Sequence, residues 1–224
     1  MKKSHLICLG FVFFLFMALV PSVTATTYTF TPNPIDMQGL DHQYYYSWKI
    51  EWSIPSGQII TDAVFTYTNI YDWQEEQDAL YTWLLDTPPS SPWRWTPLAS
   101  NPTNTWRRGD NEGFGDNWST WSGTKKQVGT WNDPVGGKPR DDDPNLSYSF
   151  SSMGLLDELN AYAANGVFGF GIDPDCHYYN SGIQFTITTV PDHIPNGPVP
   201  EPTTILLLAS GLLGLAGLRK KFKK

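Results

Sequence analysis

Hydrophobic and polar residues alternate with a period of two along several stretches of the chain. Ile59–Ile70 is the clearest: Ala63, Phe65 and Tyr67 fall on one face, and Val64, Thr66 and Thr68 on the other. Tyr44–Ile54, Ala79–Leu85, Leu146–Phe150, Val167–Ile172 and Gly182–Val190 read as further strands, rich in β-branched and aromatic residues. Pro55-Ser56-Gly57, Thr87-Pro88-Pro89, Asp133-Pro134 and Gly136-Gly137 supply the turns between them. One segment follows a helical period instead. Across Met153–Ala163, the residues Leu155, Leu156, Leu159 and Tyr162 share a face, Ser151 or Ser152 can cap the start, and Asn165-Gly166 ends it. The pattern predicts an all-β, two-sheet sandwich with one short helix covering an open end of its core. Ser90–Asp143 shows no clean period and reads as short strands joined by long ordered loops.

The two ends have a different character. Lys2 and Lys3 precede an apolar run from Leu6 to Val20, Pro21 breaks it, and Val23-Thr24-Ala25 offers small residues to a signal peptidase. Residues 1–25 therefore read as a secretory signal peptide handled by the Sec translocon, with cleavage after Ala25. At the other end, residues 191–198 form a proline-rich linker before the tail 199–224. The tail opens with Val199-Pro200-Glu201-Pro202, continues as an apolar run from Thr203 to Leu218, and closes with Arg219-Lys220-Lys221-Phe222-Lys223-Lys224. The basic cluster stays on the cytoplasmic side. The apolar run would span about 24 Å as a transmembrane helix at ~1.5 Å per residue, short of a hydrocarbon core of about 30 Å.

This tripartite tail resembles the PEP-CTERM sorting signal of Gram-negative bacteria, with Pro200, Glu201 and Pro202 as the sorting motif. The resemblance implies recognition by an exosortase, a membrane protease-transpeptidase. It also implies membrane anchoring through residues 203–218 before processing, then removal of the tail and delivery to the cell surface or extracellular polymer matrix. A permanent membrane anchor is the plainer alternative. The resemblance is confined to the tail and leaves the domain at residues 26–190 without a family.

Removing both ends sharpens the charge. Of 15 basic residues, two lie in the leader and five in the tail; of 22 acidic residues, only Glu201 is in the tail. Thr26–Val199 thus keeps eight basic and 21 acidic residues, a net charge of about −13. Nucleic acid is excluded as a partner, because phosphate binding needs a basic face. Cys8 leaves with the leader, so Cys176 has no second thiol to pair with, and the domain must hold by burial alone.

The densest polar cluster is Asp173-Pro174-Asp175-Cys176-His177-Tyr178-Tyr179-Asn180, between two predicted strands. Asp173, Asp175 and Asn180, with backbone carbonyls, suit Ca²⁺, which takes oxygen ligands. The same residues also suit a loop held by Asp side chains on backbone amides. Cys176 and His177 suggest zinc, copper or a thiol nucleophile, but neighbouring side chains in extended chain point opposite ways. Asp141-Asp142-Asp143 and Glu75-Glu76 supply carboxylates of the kind glycosidases use, without showing that any pair converges.

All ten tryptophans lie between Trp48 and Trp131. Trp48 or Trp52, Trp73 and Trp83 are expected in the core or at its edge. Trp93, Trp95, Trp118 and Trp121, set among Pro, Ser, Gly and Asn, are the candidates for exposed sugar-stacking rings. By architecture and composition, the domain looks like the jelly-roll sandwiches of carbohydrate-binding and surface adhesion modules. The expectation is a non-catalytic structural or adhesive surface protein with glycan, such as exopolysaccharide, as a partner. The competing class is a secreted polysaccharide hydrolase or lyase.

Overall fold

The computed structural model describes residues 24–89, 104–111, 115–133, 137, 144–192 and 208–212. Residues Thr24–Asp192 form one unit, and the helical turn at 208–212 belongs to another. Among the described residues, no helix is long and apolar enough to cross a membrane. Most of the expected leader, linker and transmembrane segment lies outside the described residues, as does the whole Pro200-Glu201-Pro202 motif.

The unit is mainly β, with two antiparallel sheets packed together. One sheet holds β1 (Thr26–Phe30), β3 (Gln58–Thr68), β8 (Leu146–Ser149) and β11 (Gly182–Pro191), in the spatial order β1-β11-β3-β8. The other holds β2 (Tyr44–Glu51), β5 (Ala79–Leu85), β6 (Asn104–Asp110), β7 (Lys125–Asn132) and β9 (Val167–Pro174), in the order β6-β2-β9-β5-β7. A third, two-stranded ribbon pairs β4 (Tyr71–Asp72) with β10 (Tyr178–Tyr179). The stretch without a clean period contains β6, β7 and the short helix α1 (Asn117–Thr120).

The inner faces are aromatic. Phe170 of β9 lies 4.4 Å from Phe65 of β3 and 4.7 Å from Phe185 of β11, centroid to centroid, joining the middle strands of the two sheets. Trp48 of β2 closes on Phe170 at 5.7 Å. Tyr67 brings its hydroxyl with it into the core, and Thr82 Oγ1 of the opposite sheet meets that hydroxyl at 2.8 Å, so neither buried polar group is stranded.

Strand β9 is buried on both faces, for two different reasons. Phe168, Phe170 and Ile172 point into the sandwich, and Gly169, Gly171 and Asp173 alternate with them on the outside. The glycines let other groups come close. A Cβ at Gly169 would lie 2.0 Å from the Trp48 carbonyl oxygen, and one at Gly171 would lie 2.5 Å from the Trp118 ring.

The helix differs from the single element expected at Met153–Ala163. The chain forms α2 (Phe150–Met153) and α3 (Leu156–Ala163), separated by Gly154 in the left-handed conformation at φ 69°. The cap is Ser149, whose side chain accepts from Ser152 N, and neither Ser151 nor Ser152 takes that role. Leu155, Leu159 and Tyr162 are buried, as the helical period predicts.

The period of two in β3 also breaks at one point. Thr188 pairs with Asp62 but Thr189 pairs with Ile60, so the strand carries one extra residue. Ile60 and Ala63 are therefore both buried, while Ile59 stays exposed. Asn160 of α3 meets the bulge: its Oδ1 accepts from Ile60 N at 3.2 Å and its Nδ2 donates to Ile60 O at 3.3 Å. The amide stands in for a strand where β8 no longer reaches.

Gly169→Ala should be costly, because its clash is with backbone inside a sheet. Overpacking of this kind costs about 1–3 kcal/mol, which thermal unfolding would read as roughly 2–4 °C per kcal/mol. Gly171→Ala should lose less, since the Trp118 ring can slide outward. A Gly169→Ala protein as stable as the parent would contradict the close approach.

Candidate functional site

The β4–β10 ribbon is the feature that gathers chemistry. Its register pairs Tyr178 with Asp72 and Tyr179 with Tyr71, and Trp73 N extends the pairing by donating to His177 O at 3.2 Å. On the other side, Tyr178 exchanges two 2.8 Å backbone bonds with Leu40. A pleated ribbon sends alternate residues to opposite faces. Tyr71, Trp73, His177 and Tyr179 consequently share one face, and Asp72, Cys176 and Tyr178 share the other.

The outward face is aromatic. Tyr71 and Tyr179 stack at 5.2 Å with 23° between their planes, and His177 lies 4.4 Å from Tyr179. Trp73 is 55 % exposed and Tyr179 is 41 % exposed. Trp73 therefore corrects the expectation that it belongs in the core or at its edge. His177 Nδ1 is 4.0 Å from Asp41 Oδ2, and partial burial lowers its pKa.

The inward face is polar and closed. Asp72, Cys176 and Tyr178 are all buried, and Tyr178 Oη donates to the Asp78 carbonyl at 2.6 Å. One carboxylate oxygen each of Asp72 and Asp78 and the Cys176 Sγ lie within 4.8 Å of one another. Burial first, and the Asp133 carboxylate second, push Asp72 up to about 6. The backbone N–H groups of Gly137 and Gln74 approach Asp72 closely enough to oppose that rise, yet neither forms a well-aligned hydrogen bond with it. Burial and the adjacent Asp78 carboxylate push the Cys176 thiol up to about 11. The thiol is thus held protonated and is no nucleophile as it stands.

The calcium set expected at Asp173, Asp175 and Asn180 is divided among different neighbours. Asp173 is fully buried on the outer side of β9. Its Oδ1 accepts from Asn111 Nδ2 at 3.1 Å, and its Oδ2 accepts from Asn117 N at 2.7 Å and Asn117 Nδ2 at 3.0 Å. Asp175 Oδ2 accepts from the Tyr81 hydroxyl at 3.3 Å. Asn180 turns to the backbone and donates to Asp36 O at 3.2 Å. Burial, above all, pushes Asp173 up to about 8, with Asp116 and Asp175 adding to the rise.

The four tryptophans proposed for sugar stacking also part company. Trp118 is 1 % exposed and lies over Gly171, edge-on to Tyr45 and Trp121, with its Nε1 donating to Ile172 O at 3.4 Å. It is a packing residue of the sheet's outer face, which corrects the expectation of exposure. Trp121 is half-buried and covers Gly123. Trp93 and Trp95 lie outside the described residues, as do Asp141, Asp142 and Asp143.

Residues 198–221 match the model of the PEP-CTERM protein-sorting motif. The PEP-CTERM tail implies an exported protein that is processed by an exosortase, typically cell-surface or extracellular thereafter. No curated protein and no solved structure matches the chain. The PEP-CTERM tail thus carries the destination, and the domain's chemistry has to be read from its own geometry.

The raised Asp173 sets a pH dependence. Its folded pKa of about 8 exceeds the unfolded value of about 3.9. The folded domain therefore holds this proton where the unfolded chain has lost it, and stability falls as pH rises from about 4 to about 8. Thermal melts of the full chain in chelator should show a melting temperature that declines from pH 5 to pH 8.5. Asp173→Asn, which stays neutral throughout, should flatten that decline. An equal slope in both proteins would place the titration elsewhere.

Proposed function

We propose that this protein is a non-catalytic surface or matrix protein that binds a neutral glycan on the outer face of the β4–β10 ribbon. The observation that carries the reading is that Trp73, Tyr71 and Tyr179 lie on one face of the ribbon. Trp73 and Tyr179 expose their rings there, and Tyr71 stacks on Tyr179. Exposed aromatic rings offer large apolar area at little entropic cost, and sugar rings have apolar faces to match. The acidic character of Thr26–Val199 disfavours anionic polysaccharide and suits an uncharged one.

Two further points support a binding module. The strand orders β1-β11-β3-β8 and β2-β9-β5-β7, with β6 as an added edge, are those expected of a jelly roll. Asp173, whose carboxyl burial pushes up to about 8, is sealed by Asn111 and Asn117, where a general acid would need access to substrate. On this reading the exosortase delivers the domain to the extracellular polymer, and the ribbon holds it there.

Retention on the host's exopolysaccharide tests the platform. Trp73→Ala and Tyr179→Ala should each weaken binding about tenfold, roughly 1.4 kcal/mol, with melting temperature nearly unchanged because both rings are exposed. Wild-type binding in both variants would remove the platform from the account. Processing is checked separately by the intact mass of surface-extracted protein, which should end near Pro200-Glu201-Pro202. Full-length chain ending at Lys224 and held in the inner membrane would contradict exosortase release.

A further inference from the structure

We propose that Asp72, Asp78 and Cys176 form a zinc site on the inner side of the β4–β10 ribbon. The site lies on the face opposite the aromatic rings and does not rest on glycan binding there.

The geometry is close to what the ion needs. The three donor atoms lie within 4.8 Å of one another. Tetrahedral zinc with bonds of about 2.0–2.3 Å holds its ligand atoms roughly 3.3–3.8 Å apart. Side-chain rotations of about 1 Å would therefore close the set around an ion.

Asp72 is the second, independent observation. It has no solvent exposure, and among the described residues neither carboxylate oxygen has a well-aligned hydrogen-bond partner. Buried carboxylates are almost always paired, hydrogen-bonded or bound to metal. The ribbon aims this one at Asp78 and Cys176, and a cation would neutralise it where the Gly137 and Gln74 N–H groups only approach.

Ligand chemistry selects the ion. Calcium and magnesium take oxygen ligands and have no use for a thiolate. Copper(I) prefers soft sulfur and is poorly served by two carboxylates. Zinc accepts both donor types in one tetrahedral shell. His177 is not a ligand, since the ribbon turns it to the outer face. The Gln74 carboxamide offers a fourth donor. With its oxygen accepting from Trp73 Nε1 at 3.1 Å, that oxygen stands at the position 3.7 Å from Sγ.

The supports behind the ligands are already in place. Asp133 Oδ2 accepts from Asp72 N at 3.0 Å, and the Tyr178 hydroxyl holds the Asp78 carbonyl at 2.6 Å. Binding replaces the Cys176 S–H bond with a sulfur–zinc bond, and the displaced proton leaves to solvent.

The test is a titration of untagged full chain, purified in detergent and stripped with chelator. One equivalent of Zn²⁺ should bind and raise the melting temperature by about 5 °C or more at a hundredfold excess over Kd. Cd²⁺ should give an ultraviolet thiolate-to-cadmium band that persists in Cys8→Ser and disappears in Cys176→Ser. Asp72→Asn should weaken zinc at least a hundredfold, and a large excess of Ca²⁺ should leave the cadmium band intact. The proposal is overturned by a folded wild type with no band and no zinc equivalent. A band that survives in Cys176→Ser, undiminished zinc affinity in Asp72→Asn, or displacement by calcium would overturn it equally.

Discussion

The packing of Phe170 between Phe65 and Phe185 is the contact on which the rest of the structure depends. It joins the central strand of the five-stranded sheet to two central strands of the other, at centroid distances of 4.4 and 4.7 Å. Aromatic pairs of this kind contribute about 0.5–1.5 kcal/mol each beyond the area they bury. Among the described residues Cys176 is a free cysteine with no disulfide, so this cluster and the aliphatic residues around it hold the sandwich by burial. It also dictates what the outer side of β9 can be. With Phe168, Phe170 and Ile172 turned inward, the alternate positions face out, and glycine there allows Trp118 and the Trp48 backbone to close over the strand.

The same strand leads into the β4–β10 ribbon. Strand β9 ends at Pro174, and Asp175 N still reaches Ala79 O at 2.8 Å, so the chain enters Cys176–Tyr179 with its direction already set. From there the pleat alone separates the chemistry. Odd positions 71, 73, 177 and 179 face out, and even positions 72, 176 and 178 face in. One short ribbon can therefore offer aromatic rings to the exterior and a thiol with carboxylates to the interior. The inward Tyr178 ties the two faces together, as it bonds Leu40 through its backbone and Asp78 through its hydroxyl.

Strands with strict alternation were legible from the residues. Ala79–Leu85 appears with the expected bounds, and Ala63, Phe65 and Tyr67 occupy the core face. What escaped was set by long-range contact. Strands β6 and β7 carry Arg, Lys and Gln among their apolar residues and exist because neighbouring strands pair with them. Local composition suggested exposure for Trp118, whereas Gly171, far away in sequence, makes the hollow that buries it. Trp73 shows the reverse, since its exposure follows from the two-residue ribbon and not from its neighbours in the chain. The polar loop at Asp173–Asn180 was correctly singled out as chemically dense, but its partners come from elsewhere in the chain, Asp72 from β4 and Asp78 from the loop before β5, and carry no spacing signal. The tail was legible throughout, because a sorting signal is read as linear sequence.

The central claim is that the outer face of the ribbon is the surface that meets extracellular glycan. Nuclear magnetic resonance of the tryptophan indole N–H groups during titration with host exopolysaccharide tests it without any substitution. The account predicts that the Trp73 indole signal shifts first and most, while those of the buried Trp48, Trp106 and Trp118 stay in place. Shifts confined to other indoles, with Trp73 unmoved at saturation, would contradict it.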